Sequence, residues 1–222
     1  MVRSLKVRVS SYIVAYNMRM SSDTAKAPRR KPQQQRGEQR MAAMLDAAAV
    51  EFAQAGFDAA TMTAIAERSG SSIGALYQYF PNKLALARAL REQYGEQMAR
   101  RWSGLIADAA QLSVTALVDR VFDLMIGFFE EHPAYFTLLN ATLGYQRNAD
   151  SRQRLRAQFG AALREKKPEM KEDEALRTAN VALQIVKGLN PLYAQAAAAE
   201  RRELVAEFKL ALVAYLKTRL HR

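Results

Sequence analysis

The 222-residue chain contains no cysteine, which excludes disulfides, thiolate nucleophiles and thiolate metal ligands and fits a reducing compartment. It holds only two histidines, His132 and His221, too few to expect a zinc site without cysteine. No metal and no cofactor is therefore expected. Glycine and proline are sparse, at 10 and 6 residues, so the chain has few natural breaks. No apolar run approaches the roughly 18 residues that a membrane-spanning helix needs, and no membrane partner is expected. What is present is rich in alanine, leucine, arginine, glutamate and glutamine, with half of the residues apolar. That composition favours helix over strand. The length allows a small domain followed by a larger one with its own core.

The formal net charge is +11, a value that invites a nucleic-acid partner, but its placement is uneven. Residues 1–40 hold ten Lys/Arg against Asp23 and Glu38, leaving an excess of only three positive charges in the rest of the chain. Residues 1–33 read as a basic N-terminal extension. The apolar patch Tyr12–Tyr16 is too short for a secretory signal. From Met20 onward the segment is polar, basic and broken by proline, a composition that stays disordered in isolation. Met20-Ser-Ser-Asp reads as a protein start, with Met18 as its rival, so residues 1–19 are expected to be a product of start-site choice. Arg29-Arg30-Lys31 is either a solvated tail or an arm that follows the phosphate backbone or enters the minor groove.

The stretch Thr61–Lys83, TMTAIAERSGSSIGALYQYFPNK, carries two short helices separated by a tight turn. Thr61 can cap the first helix, whose inner edge is Ile65-Ala66. Ser69-Gly70 ends it, because glycine tolerates the left-handed conformation common at helix ends. Ser71 or Ser72 can cap the second helix, Pro81 stops it, and Asn82 can cap the next. Upstream, Met41, Leu45, Ala48, Ala49, Phe52 and Ala53 form one stripe of a helix from Arg36 to Ala55, ended by Gly56 with Phe57 folding back. A further helix from Lys83 to about Trp102 has Leu84, Ala87, Leu90, Tyr94 and Met98 as its stripe. Three helices around 61–80 make a helix-turn-helix, whose second helix can enter a major groove. That geometry puts Ser71, Ser72, Ile73 and Ala75 against base edges, with Gln78 further along and Gly74 letting the backbone come close.

These residues resemble the TetR family of bacterial transcriptional repressors. Thr61, Ile65-Ala66, Ser69-Gly70, Ser72, Gly74, Leu76-Tyr77, Tyr79-Phe80 and Lys83 stand in register with the family pattern, and Ala47–Phe57 is similar to the end of its first helix. The likeness covers roughly residues 36–98. One departure is Ile73, where the family often has lysine. The resemblance implies that Thr61, Thr63, Tyr77, Tyr79 and Lys83 contact phosphates, which positions the protein rather than specifying sequence. It implies an all-α fold of about nine helices, with a DNA-binding domain at 34–98 and an effector-binding and dimerisation domain at 99–222.

In the second half, helices are predicted at Val114–Glu131, Ala134–Leu143, Arg152–Lys166, Ala175–Gln195 (kinked at Pro191) and Glu200–Leu220. Asn148–Ser151 and Pro168–Asp173 read as connecting segments. By resemblance, the last two long helices pair with their copies. Leu176, Ala179, Leu183, Val186, Gly188 and Leu189, with Leu204, Phe208 and Leu212, are the candidates for that seam. A palindromic operator in double-stranded DNA calls for the same two-fold symmetry. An unknown small-molecule effector would sit among Trp102, Phe122, Met125, Phe129, Tyr135, Phe136, Leu139 and Phe159, with Asn140 or His132 adding polarity.

Two motifs carry no function in this setting. Gly70–Gly74 fits G-x-S-x-G, but a helix precedes it where a serine hydrolase has a strand. Asn140-Ala141-Thr142 fits a glycosylation sequon, which has no meaning without secretion. The chain is thus expected to be a non-enzymatic, cytoplasmic, homodimeric repressor held at the nucleoid by its operator and released by a small lipophilic effector. The alternative is a DNA-binding regulator without a small ligand, controlled by a protein or acting as an activator.

Overall fold

A computed structural model describes the backbone of residues 30–141 and 149–220, and the side chains of 35–139, 141 and 153–220. The extension 1–29, including Arg29 and both proposed starts, lies outside the described residues, as do the side chains of Arg30, Lys31 and Asn140. Nine α-helices make up the described chain, and no strand occurs among these residues. They are α1 (Arg30–Ala59), α2 (Met62–Arg68), α3 (Ile73–Tyr79), α4 (Lys83–Asp108), α5 (Val114–Glu131), α6 (Ala134–Asn140), α7 (Ala149–Lys166), α8 (Glu172–Gln195) and α9 (Ala198–Leu220). None is long and apolar enough to cross a membrane.

Local chemistry sets the boundaries. Asn82 Oδ1 accepts from the Ala85 amide at 2.8 Å and starts α4. Ser113 Oγ does the same for α5 through Ala116 at 3.1 Å. Such caps satisfy amides that no helical carbonyl can reach. Gly56 stands at φ +81° inside α1, a conformation that costs L-residues with a side chain. There the helix breaks, and Phe57 turns back until its ring lies 5.7 Å from Phe52.

Helices α1, α2 and α3 pack with the start of α4 into a small head, while α4 continues into a body formed with α5 to α9. One apolar core runs through both, from Phe52 and Leu76 in the head to Phe122, Phe128 and Leu189 in the body. Helix α6 belongs to the body in sequence, yet it packs against α1 as well as α4. Met44 and Ala47 are buried beside Leu45, Ala48 and Phe52, a wider stripe than periodicity marked, while Ala53 is exposed.

Several boundaries differ from the sequence reading. Helix α4 runs on to Asp108, because Trp102 and Leu105 are buried against the body. Helix α7 begins at Ala149, inside the expected connecting segment, and α8 begins at Glu172 with three acidic residues in its first turn. Acidic side chains there suit the positive end of the helix dipole. Pro191 lies within α8, which continues to Gln195.

Candidate functional site

The head presents α3 through a chain of short local bonds. The Thr61 hydroxyl accepts from the Ala64 amide at 3.1 Å and starts α2. Arg68 at the end of α2 donates to Gln54 at 3.0 Å and pairs with Glu51 at 3.5 Å, fixing α2 on α1. Gly70 then takes φ +65°, and the Ser71 amide donates back to Ala66 at 3.0 Å, closing the turn. Ser72, rather than Ser71, caps α3, accepting from the Ala75 amide at 3.2 Å. Leu76 and Phe80 point into the core, beside Ile65 and Ala66.

The opposite face of α3 is open. Ser72, Ile73, Gly74, Tyr77 and Gln78 are exposed, with Ser71 and Ala75 half-buried at its edge. Ile73 and Tyr77 remain 41% and 50% exposed although both are large and apolar in part. Among the described residues, nothing beyond its own chain neighbours and helix backbone lies within 4 Å of the position a Cβ would take at Gly74. A seven-residue rod with this face fits the major-groove role of a second helix. Thr61 and Thr63 are exposed at the start of α2, on the same head.

One expected phosphate contact, Lys83, is engaged within the protein, and another, Tyr79, is half-buried. Lys83 Nζ donates to the Asp58 and Ala60 carbonyls at 2.7 and 2.9 Å and lies 4.9 Å from the Phe57 ring centre. It ties the end of α1 to the start of α4, a use that 23 or more residues of separation hid from the sequence. Tyr79 is half-buried, with its hydroxyl 3.6 Å from where a Cβ would stand at Gly37 of α1.

The body contains a cavity of about 540 Å³. Trp102, Met125, Phe129, Tyr135 and Leu139, expected to line a pocket, do line it. Phe122, Phe136 and Phe159 are absent from its described walls, and Phe122 and Phe159 lie in the core. The sequence reading missed the α4 wall of Arg91, Tyr94, Gly95 and Met98 and the α8 wall of Lys187 and Asn190. Periodicity alone marked Tyr94 and Met98 as core, which they also are. Leu183 and Val186, expected at a seam between chains, line the cavity instead.

Several of the lining residues belong to an aromatic cluster. Phe129 lies 5.4 Å from both Tyr135 and Tyr193, and Tyr135 lies 6.3 Å from Tyr94. His132 sits between Tyr94 and Phe128, at 4.6 and 4.4 Å. Burial pushes its imidazole below the usual histidine range, partly offset by Glu131 and reinforced by Arg101. The Nε2 atom of His132 and the Oδ1 atom of Asn190 are buried without a hydrogen-bond partner among the described residues. Burial also pushes the Tyr94 phenol strongly upward, with Asp46 adding to it, so this hydroxyl stays neutral.

Among the other seam candidates, Ala179, Leu189 and Leu212 are buried within the single chain, and Leu204 and Phe208 are half-buried. Leu176 and Gly188 are exposed, and so are Val181, Leu192 and Leu210, which the sequence reading passed over. No cluster of side chains that could hold a metal ion occurs among the described residues.

Comparison with known proteins follows the same division. Residues 44–90 match the family described as "Bacterial regulatory proteins, tetR family", and residues 113–216 match "Tetracyclin repressor-like, C-terminal domain". A crystal structure of a TetR-family transcriptional regulator from Streptomyces coelicolor has a TM-score of 0.58 at 24% identity, covering 82% of this chain and 99% of that one. FadR of Bacillus subtilis, solved in complex with stearoyl-CoA, has a TM-score of 0.54 at 18% identity, covering 79% and 96%. In sequence, the chain is 31% identical over 81 residues to the nucleoid occlusion factor SlmA of Marinomonas sp. (strain MWYL1). That match spans 36% of this chain and 40% of the relative.

Proposed function

Because this chain belongs to the TetR family of bacterial transcriptional regulators, a family of DNA-binding proteins rather than enzymes, we propose that it is a dimeric repressor that leaves its operator when a small, largely apolar effector enters the body cavity. The proposed boundaries are 34–98 for the DNA-binding domain, with its helix-turn-helix at 61–80, and 99–222 for the effector and dimerisation domain. The DNA face consists of Thr61, Thr63 and the exposed side of α3, with Ile73 and Tyr77 at its centre. A cytoplasmic location goes with this role.

One observation carries the reading: the cavity and the DNA face share their supports. Helix α4 begins beside α3 and later supplies Arg91 to Trp102 to the cavity wall. Helix α6 supplies Tyr135 and Leu139 to the cavity while packing on α1. A ligand that prefers one arrangement of α4 and α6 thereby shifts the head between arrangements, in proportion to its differential affinity. The FadR fold neighbour, with its bound stearoyl-CoA, is consistent with a body that takes apolar ligands.

Dimerisation draws support from α9. Only Leu212 and Leu216 are buried in this 23-residue helix, and Leu210 is 64% exposed. With exposed Leu176, Val181 and Leu192 on α8, these residues form apolar surface that a second copy can cover. Mobility-shift titration with the DNA upstream of the protein's own gene tests the proposal. Retention of that DNA at concentrations that leave a scrambled duplex free is expected, with release by a lipophilic compound that raises the melting temperature. No preference for the upstream DNA would refute repression of its own promoter. Retention indifferent to every cavity-binding compound would refute the effector step.

A further inference from the structure

We infer that Ile73 determines specificity by selecting thymine: in the operator half-site its branched side chain meets the 5-methyl group of a thymine in the major groove. This rests on the DNA-binding reading above and names part of the base sequence that the protein recognises.

The face that α3 turns outward is uncharged. Residues 69–82 contain no Lys, Arg, Asp or Glu. The cations at either end of this stretch are both held within the head. Arg68 donates to Gln54 at 3.0 Å and pairs with Glu51 at 3.5 Å, and Lys83 donates to the Asp58 and Ala60 carbonyls. Helix α3 itself therefore brings no guanidinium or ammonium to guanine O6 and N7, and no carboxylate to the cytosine amino group. Those are the pairings by which charged side chains read a G·C pair. The exposed residues of this face are Ser72, Ile73, Gly74, Tyr77 and Gln78.

Among them Ile73 has a wholly apolar side chain, yet it is 41% exposed. Leu76, Phe80 and Ile65 supply the core beneath it. Of the large hydrophobic residues exposed on the head, Val50, Ile73 and Tyr77, two stand on the seven-residue α3. Gly74 follows with no side chain, so the backbone can come close to a duplex beside Ile73. In the major groove the thymine methyl is the apolar group that distinguishes one base edge from the others. Pressed on a G·C edge, Ile73 would strip water from donors and acceptors that it cannot satisfy, which is costly. Against a thymine methyl it removes apolar area from water on both sides. Its β-branch nearly fixes χ1 in a helix, so little side-chain freedom is lost on docking.

Selection of sites by the full chain from a random duplex library, followed by uracil replacement of each selected thymine in turn, tests this. Uracil keeps the base pairing and the O4 acceptor and lacks only the methyl. At one thymine of the half-site, uracil is expected to weaken binding about fourfold, the worth of one buried methyl group. Ile73→Ala is expected to bind more weakly overall but to be indifferent to that replacement. Ile73→Val, which keeps the branched carbon, is expected to retain part of the penalty, a pattern that general damage to the head does not produce. At the same position the parent is expected to bind 5-methylcytosine more tightly than cytosine. A parent indifferent to every uracil and to the cytosine methyl, or a uracil penalty unchanged in Ile73→Ala, overturns the thymine contact while leaving sequence-specific DNA binding in place. Selection that enriches no sequence overturns both this inference and the operator reading.

Discussion

At position 83 an ammonium group donates to the Asp58 and Ala60 carbonyls at 2.7 and 2.9 Å and covers the Phe57 ring. Lys83→Met keeps much of the stem but removes both bonds, so it should lower stability by about 1–2 kcal/mol. Chemical denaturation measures this directly. An unchanged midpoint, with weaker DNA binding, would instead restore the phosphate contact that resemblance implied. Gly74 gives the opposite pattern. Among the described residues, nothing beyond its own chain neighbours and helix backbone lies within 4 Å of its would-be Cβ, and glycine inside a helix costs roughly 0.5–1 kcal/mol relative to alanine. Gly74→Met should therefore leave thermal stability equal or raised while impairing DNA binding, because only the duplex approaches that point. The caps Thr61, Ser72 and Asn82 were legible in sequence because their partners lie three residues away. The use of Lys83 was not, because its partners come from another helix.

Among the elements, α5 and α6 hold the feature most open to titration. His132 lies between Tyr94 and Phe128 at 4.6 and 4.4 Å, and burial lowers its proton affinity. Just below the usual histidine range, near 6.5, the unfolded chain binds more protons than the folded one, so stability is full above that range and falls as pH drops through it. His132→Phe keeps an aromatic ring in the cluster and should flatten the melting temperature between about pH 7 and 5. A variant as pH-sensitive as the parent there would place the sensitivity elsewhere. In the α8–α9 hairpin, a Cβ at Gly188 would stand 3.1 Å from the Phe208 ring. Gly188→Val should force that ring aside and lower the melting temperature, by a cost of about 1–3 kcal/mol for overpacking. An unchanged melting temperature would mean that Phe208 yields freely.

Helix positions followed from periodicity, capping residues and the glycine and proline stops, and α5 has the predicted bounds Val114–Glu131. The faces of the helices were less legible. Leucines at helical spacing on α8 look alike whether they meet the chain's own core, a cavity or a second copy. Leu183 and Val186 line the cavity, Leu189 is core, and Leu176 and Leu192 are exposed. Only tertiary packing sorts them. For the same reason the contact of α6 with α1 left no trace in the local pattern, and neither did the cavity wall to which α4 and α8 both contribute.

For the molecule as a whole, the placement of charge makes a separate prediction. Residues 34–98 contain six Lys/Arg and seven Asp/Glu, so the head has no basic excess of its own. Residues 1–33 contain eight Lys/Arg against Asp23 alone, a reserve for phosphate neutralisation outside the head. Deleting residues 20–35 along with what precedes them should weaken DNA binding and flatten its salt dependence, since fewer counterions are then released. A slope unchanged by the deletion would assign the phosphate contacts to the head alone. The central claim is that the exposed face of α3, projecting from a two-fold dimer, reads the operator. Fluorescence anisotropy with labelled upstream DNA, comparing the parent with Tyr77→Ala at matched salt, tests it most directly. Tyr77 is half exposed, so truncation should spare the fold and the dimer while costing roughly tenfold or more in affinity, as expected for a lost hydrogen bond to a charged phosphate. A folded, dimeric Tyr77→Ala protein that binds as tightly as the parent would contradict the account.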